Sequence, residues 1–370
     1  MIDLSEASPH QPPQPDQPPQ HTQSDYGLRP EAQAFPMMLV LSLVYPCNAK
    51  CPHCPYTNSN IRQSYRDAPY MGEALFKKIA DEAGPHGAYL RISGGGEPML
   101  HEQATQLFLY AKAQGCKIGL ITNGSLFDEE NSRALLAAGV DMIEFSVDAA
   151  DASVYEEVRK GLDWDTLVTN VKRFLAIRKE IRGVSRIVAS GVHQKGVVLD
   201  AAEKFWMEEI GIDAFIKRKF LTWGENTTLD GDRSADDTPY IDTDTVPCPF
   251  LFERLNIDTR GNVMVCGFDI AAKTSMGNVN DDTIAGIWHG AGFEHYRTLH
   301  LENRGKELEL CASCPDWRYR SWKHNYWKVI GKAEESRQKK LGVSGEGDAS
   351  SPGAVFSPSH TSSPTHSDGS

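Results

Sequence analysis

From residue 36 to about residue 220 the chain alternates short β-rich apolar runs with amphipathic stretches of ten or more residues. The runs are Met38 to Tyr45, Ala88 to Ile92, Lys117 to Thr122, Met142 to Val147, Ser185 to Val192 and Ala214 to Phe220. Apolar residues recur at helical spacing in Glu73 to Glu82, His101 to Gln114, Asp128 to Ala138, Ser153 to Lys160 with Trp164 to Arg182, and Asp200 to Ile210. This is the sequence form of repeated βα units and a parallel sheet. Six strands are too few to close an eight-stranded barrel. The predicted fold is therefore α/β, a partial (β/α)6 TIM-like barrel over residues 36–225, with ligands expected at the C-terminal ends of its strands.

The pattern changes on either side of the barrel. Residues 1–35 are rich in Pro and Gln, and the sequence from 334, most plainly Gly342 to Ser370, is rich in Ser and Pro. Such compositions bury too little apolar surface to order themselves, so both are expected to be disordered. Residues 226–333 form a smaller unit. Within it Leu255 to Val265 reads as a β-hairpin turning at Arg260-Gly261-Asn262. Tyr319, Trp322 and Tyr326 make an apolar stripe in Asp316 to Lys332, which predicts a closing helix packed on the barrel.

The 370 residues are 40% hydrophobic, enough for one large domain and a small one. A net charge of -12 disfavours a broad nucleic-acid interface. No apolar run is long enough to span a bilayer and the N-terminus lacks a secretory pattern, so no membrane partner and a cytoplasmic location are expected. In that compartment the eight cysteines serve metals or catalysis rather than disulfides. Cys116, before an apolar run, reads as an inert buried thiol.

The other seven fall into two groups. Cys47, Cys51 and Cys54 stand within eight residues, directly after the first predicted strand. Three thiolates leave a tetrahedral zinc one ligand short, whereas a [4Fe–4S] cluster on three cysteines keeps one iron open to a small molecule. A zinc site would have to borrow His53, which lies inside the Cys51 to Cys54 loop. Cys248, Cys266, Cys311 and Cys314 are separated by 17, 44 and 2 residues, with a single Cys-x2-Cys knuckle where ribbon-type zinc sites show two.

The Cys-x3-Cys-x2-Cys pattern, joined to Ser93-Gly94-Gly95-Gly96-Glu97-Pro98, resembles the signature of radical S-adenosylmethionine (SAM) enzymes. The resemblance implies a cluster whose open iron holds SAM, with cleavage to a 5′-deoxyadenosyl radical. It places Gly95, Gly96 and Glu97 at the SAM ammonium, and Ser146 and Asp148 at its ribose and methionyl edge. Arg159 falls at the carboxylate, and His53 where the family has an aromatic ring over the adenine. Asn123, at a strand end, would face the nucleoside.

The later Cys-x12-Gly-x4-Cys resembles the start of the SPASM auxiliary-cluster domain. No cysteine follows Cys314, so the shortened, twitch-type form with one auxiliary [4Fe–4S] cluster is expected, similar to that of 2-deoxy-scyllo-inosamine dehydrogenase. Four thiols would cap every iron, leaving electron acceptance as the expected role. The reading is then an oxidoreductase acting on a small polar molecule such as a sugar, aminocyclitol or nucleoside derivative, served by an external donor of flavodoxin or ferredoxin type. A base beside the second cluster would be needed, with Arg218 and Asp269 as candidates and Lys217, Lys219 and Asp258 as others. Alternatives are peptide maturation, a redox-neutral epimerase or decarboxylase, and a non-catalytic iron–sulfur sensor or electron carrier. The leader leaves no room for a peptide-recognition domain ahead of the barrel, although a separate protein could supply one.

Overall fold

The computed structural model describes residues 27–221, 246–270, 272–312, 314, 317 and 326–341. Residues 1–26 of the expected leader, residues 342–370 of the expected tail, and Tyr319 and Trp322 lie outside the described residues. Six parallel strands carry the barrel: β1 (Met38–Leu41), β2 (Tyr89–Ile92), β3 (Lys117–Thr122), β4 (Met142–Ser146), β5 (Arg186–Val192) and β6 (Ala214–Arg218). Between them run α1 (Ser59–Ser64), α2 (Glu73–Ala83), α3 (Ala104–Ala113), α4 (Glu129–Ala137), α5 (Ala152–Val158), α6 (Trp164–Ile181) and α7 (Leu199–Lys204), the last continuing as a π-helical turn to Ile210. Asp128, Asp151 and Asp163 cap α4, α5 and α6 by accepting backbone N–H bonds in the first turn.

The strands present two faces to two different cores. Leu39, Leu41, Leu90, Ile92, Ile118, Leu120, Ile143 and Phe145 join the buried faces of the helices in the main core. From the opposite, inner face, Met38, Tyr89, Met142, Val188 and Ile216 pack with Tyr326 and Ala333. Those last two belong to α11 (Tyr326–Leu341), which lies against β5 and β6 and fills the inside of the partial barrel. Near its start, Tyr326 and Trp327 meet Tyr89 edge-on.

Beyond the barrel come β7 (Arg254–Ile257), β8 (Asn262–Met264), β9 (Ser275–Asn278), α8 (Ile284–Trp288), α9 (Ala291–Leu301) and α10 (Glu309–Ala312). The predicted hairpin is present as antiparallel β7 and β8, with β9 added. What periodicity did not predict is its partner. β7 pairs in parallel with β1, Met38 opposite Arg254 and Leu41 opposite Ile257, so nine strands form one sheet in the order β6-β5-β4-β3-β2-β1-β7-β8-β9.

Three expected boundaries move. β1 stops at Leu41 because the chain then turns to pair with another segment: Met71 N donates to Leu43 O and Tyr45 N to Pro69 O, both at 2.9 Å. The end of the expected leader is structured, since Ala32 and Phe35 join the main core and Trp288 Nε1 donates to Ala32 O at 2.8 Å. The closing helix runs on to Leu341, past the expected tail boundary at 334, because Ala333 is fully buried and Glu334 pairs with Arg186 at 3.5 Å.

Candidate functional site

The first thiol loop leaves the C-terminal end of β1, and the ends of the neighbouring strands close around it. Gly96 N donates to Val44 O at 2.7 Å and Glu97 N to Pro46 O at 3.0 Å, so the glycine turn after β2 is laced to the stem of the loop. Only glycine fits there. A Cβ on Gly95, whose φ is +73°, would come 2.2 Å from Val44 O, and one on Gly96 would come 1.7 Å from Pro46 O. From the end of β3, Asn123 Nδ2 donates to Asn48 Oδ1 at 2.8 Å, and Asn48 Nδ2 donates to Ser125 Oγ at 2.8 Å. Lys50 N donates to Lys160 O at 2.7 Å, which ties the loop to the turn after α5.

Glu97 is 2% exposed and accepts from Thr122 Oγ1 (2.7 Å), Asn123 N (2.7 Å) and Met99 N (3.1 Å). Burial raises its pKa against those bonds. Three of roughly four acceptor positions on a carboxylate are filled, leaving room for one further donor. Asp148 is fully buried in the left-handed region (φ 57°), with Val192 N bonded to Oδ1 at 2.7 Å and Arg159 Nε to Oδ2 at 2.5 Å. Arg159 also brings Nη1 to 3.9 Å from Cys51 Sγ. The structure thus pairs Arg159 and Asp148 with each other beside the thiols. His53 is partly exposed (side chain 10%), with Nε2 3.9 Å from Asp148 Oδ2 and Nδ1 unpartnered; desolvation pushes its pKa down to about 4. Ser146 ends β4, half-buried.

Burial raises the pKa of Cys47 and Cys51 and takes Cys54 to about 12, with Arg159 partly opposing the rise at Cys51. Metal binding would displace those protons, as it does for any thiol ligand. Cys116 stands apart, buried against Ala80 O with its pKa raised by burial to about 12, an inert thiol.

The second group assembles from distant segments. Cys248 precedes β7, Cys266 follows β8, and Cys311 and Cys314 lie in and after α10. The four line one cavity whose other walls include Phe250, Leu251, Phe268, His300 and Trp317. Among the described residues no three His, Cys, Asp or Glu side chains converge closely enough for a single metal ion. Four thiols around an apolar cavity are a donor set that can give one thiolate to each iron of a [4Fe–4S] cluster.

Four of the candidate bases are bonded to neighbouring protein groups. Asp269 accepts from Lys273 N, Thr274 N and Thr274 Oγ1 at 2.6 to 2.8 Å, the work of a loop staple. Asp258 does the same for the hairpin turn through Arg260 N, Asn262 N and Asn262 Nδ2. Lys217 pairs with Asp200 and Glu203. Arg218, at the end of β6, pairs with fully buried Glu144 at 2.5 Å; burial works against its charge, but Glu144 prevails and the pKa ends raised, so it stays a cation. Sequence reasoning missed this layer of the barrel interior, where Arg91 also lies over the Tyr326 ring at 4.6 Å. The available signal was two charged residues in the middle of otherwise apolar strand runs, Arg91 and Glu144. His300 was missed too, although its spacing from Phe293, Tyr296 and Arg297 puts it on the buried stripe of α9.

Comparison with known proteins agrees with this geometry. Residues 41–191 match the radical SAM superfamily model and residues 248–315 the SPASM iron–sulfur cluster-binding domain. The chain is 25% identical over 329 residues to a PqqA peptide cyclase of Xanthomonas campestris, covering 76% of this chain and 81% of that protein. In fold it is similar to Streptococcus suis SuiB bound to precursor peptide SuiA (TM-score 0.59, 15% identity, 77% of this chain and 71% of that one). It is similar also to anSMEcpe with bound AdoMet (TM-score 0.54, 17% identity, 83% and 98%). The first match implies a [4Fe–4S] cluster with SAM and the second an auxiliary iron–sulfur cluster. This chain carries a radical SAM domain followed by a SPASM iron–sulfur domain.

Proposed function

We propose that this radical SAM enzyme modifies a peptide. The observation that carries the reading is the likeness to PqqA peptide cyclases, which extends over 76% of the chain. It shifts the balance from the small polar substrate expected from cysteine spacing to the peptide alternative. When bound, the first cluster and SAM supply a 5′-deoxyadenosyl radical that removes a hydrogen atom from an unactivated carbon.

The chain's own residues have separable tasks in this reading. Cys47, Cys51 and Cys54 hold the first cluster. Glu97 takes the SAM ammonium on its remaining acceptor position, Gly95 and Gly96 let the turn approach, and Asn123 fixes the loop from β3. Arg159, held by Asp148, offers its guanidinium to the SAM carboxylate, while Ser146 and His53 flank the nucleoside. Cys248, Cys266, Cys311 and Cys314 hold the auxiliary cluster as acceptor of the electron left on the substrate, and an external protein of flavodoxin or ferredoxin type is the electron donor for SAM cleavage.

The test uses anaerobically reconstituted full-length protein with SAM, a reductant and synthetic copies of short peptides encoded beside its gene. The expected result is a peptide lighter by the mass of two hydrogens for each bond formed, with equimolar 5′-deoxyadenosine. Turnover of an aminocyclitol or sugar with none of any such peptide would return the reading to a small-molecule oxidoreductase.

A further inference from the structure

The cavity lined by the four later cysteines has two wall residues whose N–H groups bond to nothing. His300, on α9, is 1% exposed, and its Nδ1 accepts the backbone N–H of Cys248 at 3.2 Å. A ring nitrogen that accepts carries no hydrogen, so the ring is neutral and its hydrogen sits on Nε2. Nε2 has no partner. Trp317 is 4% exposed, and its Nε1, which can only donate, is also without an acceptor.

The two rings are packed as a pair. Their centroids are 4.4 Å apart, and a Cβ on Gly305 would come 2.7 Å from Trp317 and 3.0 Å from His300 Nε2, so a glycine is what lets the chain press against both. An orphaned buried donor is destabilising if nothing ever accepts from it. Two such donors in one wall, beside four thiols and otherwise apolar side chains, call for an acceptor inside the cavity. The inorganic sulfides and thiolate sulfurs of an iron–sulfur cluster are acceptors of that kind.

We propose that His300 Nε2–H and Trp317 Nε1–H donate hydrogen bonds to sulfur atoms of the auxiliary cluster and raise its reduction potential. Donors pointed at cluster sulfur stabilise the reduced, more negative state over the oxidised one. Neither residue touches substrate; both act as positioning residues on the electron acceptor. The inference rests on the four cysteines holding a cluster and is independent of what the substrate is.

The experiment uses full-length protein in which Cys47, Cys51 and Cys54 are all changed to Ala, so that only the second cluster remains. Redox titration followed by electron paramagnetic resonance should show the midpoint moving negative in His300→Phe and in Trp317→Phe, and further in the double variant, at unchanged iron content. His300→Gln, whose amide can donate in the same place, should recover part of the shift. A midpoint unchanged in the fully loaded double variant overturns the proposal. For protection against variants that fold poorly, the same protein with unsubstituted His300 and Trp317 is labelled with 15N in histidine and indole rings. Pulsed resonance of its reduced cluster should show 15N couplings from both rings that vanish with the corresponding substitution, and absence of both couplings overturns the proposal. One zinc ion in place of about four irons would overturn the cluster reading beneath it.

Discussion

The two cysteine groups, each proposed to present thiolates to iron, are built in opposite ways. At the first, three thiols come from one eight-residue stretch, and the protein already ties that stretch to β2, β3 and the turn after α5 through Asn48, Lys50 and the glycine turn. Glu97, Asp148 and Arg159 around it are bonded to protein, while His53 Nδ1 is not. At the second, four thiols arrive from three separated segments and face an apolar cavity with two unsatisfied donors in its wall. The first site is tied together by polar contacts of the chain, and the second is framed by apolar packing. A site that must leave one iron open for SAM has only three thiolates to hold the cluster, so the protein supplies the rigidity; a fully capped cluster can supply its own.

The largest effect expected from this contrast concerns iron removal. Chelated protein should lose amide protection by orders of magnitude in α10 and around Cys314 and Trp317, while β2 to β5 and the first loop keep theirs, as hydrogen exchange would register. Equal loss at both sites would erase the distinction. Next comes Arg159→Met, which strands fully buried Asp148 without its cation; urea unfolding of the iron-free protein should show a loss of about 3–5 kcal/mol. Glu97→Ala should cost about 1–3 kcal/mol by leaving Thr122 Oγ1 and Asn123 N unsatisfied, and it should weaken SAM binding measured by calorimetry while iron content holds.

The smallest effect is acid sensitivity in the barrel interior. Burial would raise the pKa of Glu144, but Arg218 and Arg91 outweigh it and leave it lowered. A depressed carboxylate contributes stability above its unfolded value of about 4.3 and loses it as pH falls through the folded value. Urea midpoints measured from pH 5 downward should therefore fall less steeply in Glu144→Gln than in the unsubstituted protein.

Strand positions were legible because they follow from local composition. Lys117 to Thr122 was predicted to the residue, and the other barrel strands began within one residue of their predicted start, since parallel strands buried on both faces read as short apolar runs. Periodicity does not specify strand partners, so the pairing of β7 with β1 was invisible. The partners of the candidate bases were illegible for a related reason. An Asp in a turn looks the same in sequence whether it meets a substrate or, like Asp258 and Asp269, its own backbone two to five residues on. The donors of His300 and Trp317 were beyond reach because their lack of partners is a property of the packed cavity.

The parallel pairing of β1 with β7 makes a single ladder the gauge of the distance between the two iron sites. Cys47 follows the end of β1 by six residues and Cys248 precedes β7 by six, so each site hangs on one rail of that ladder. Sliding one rail by two residues, the smallest slip that keeps Leu255 and Ile257 facing the main core, would displace the second site by about 6.6 Å along the strand. If the auxiliary cluster takes an electron from substrate as proposed, the length of that path is quantised by strand register.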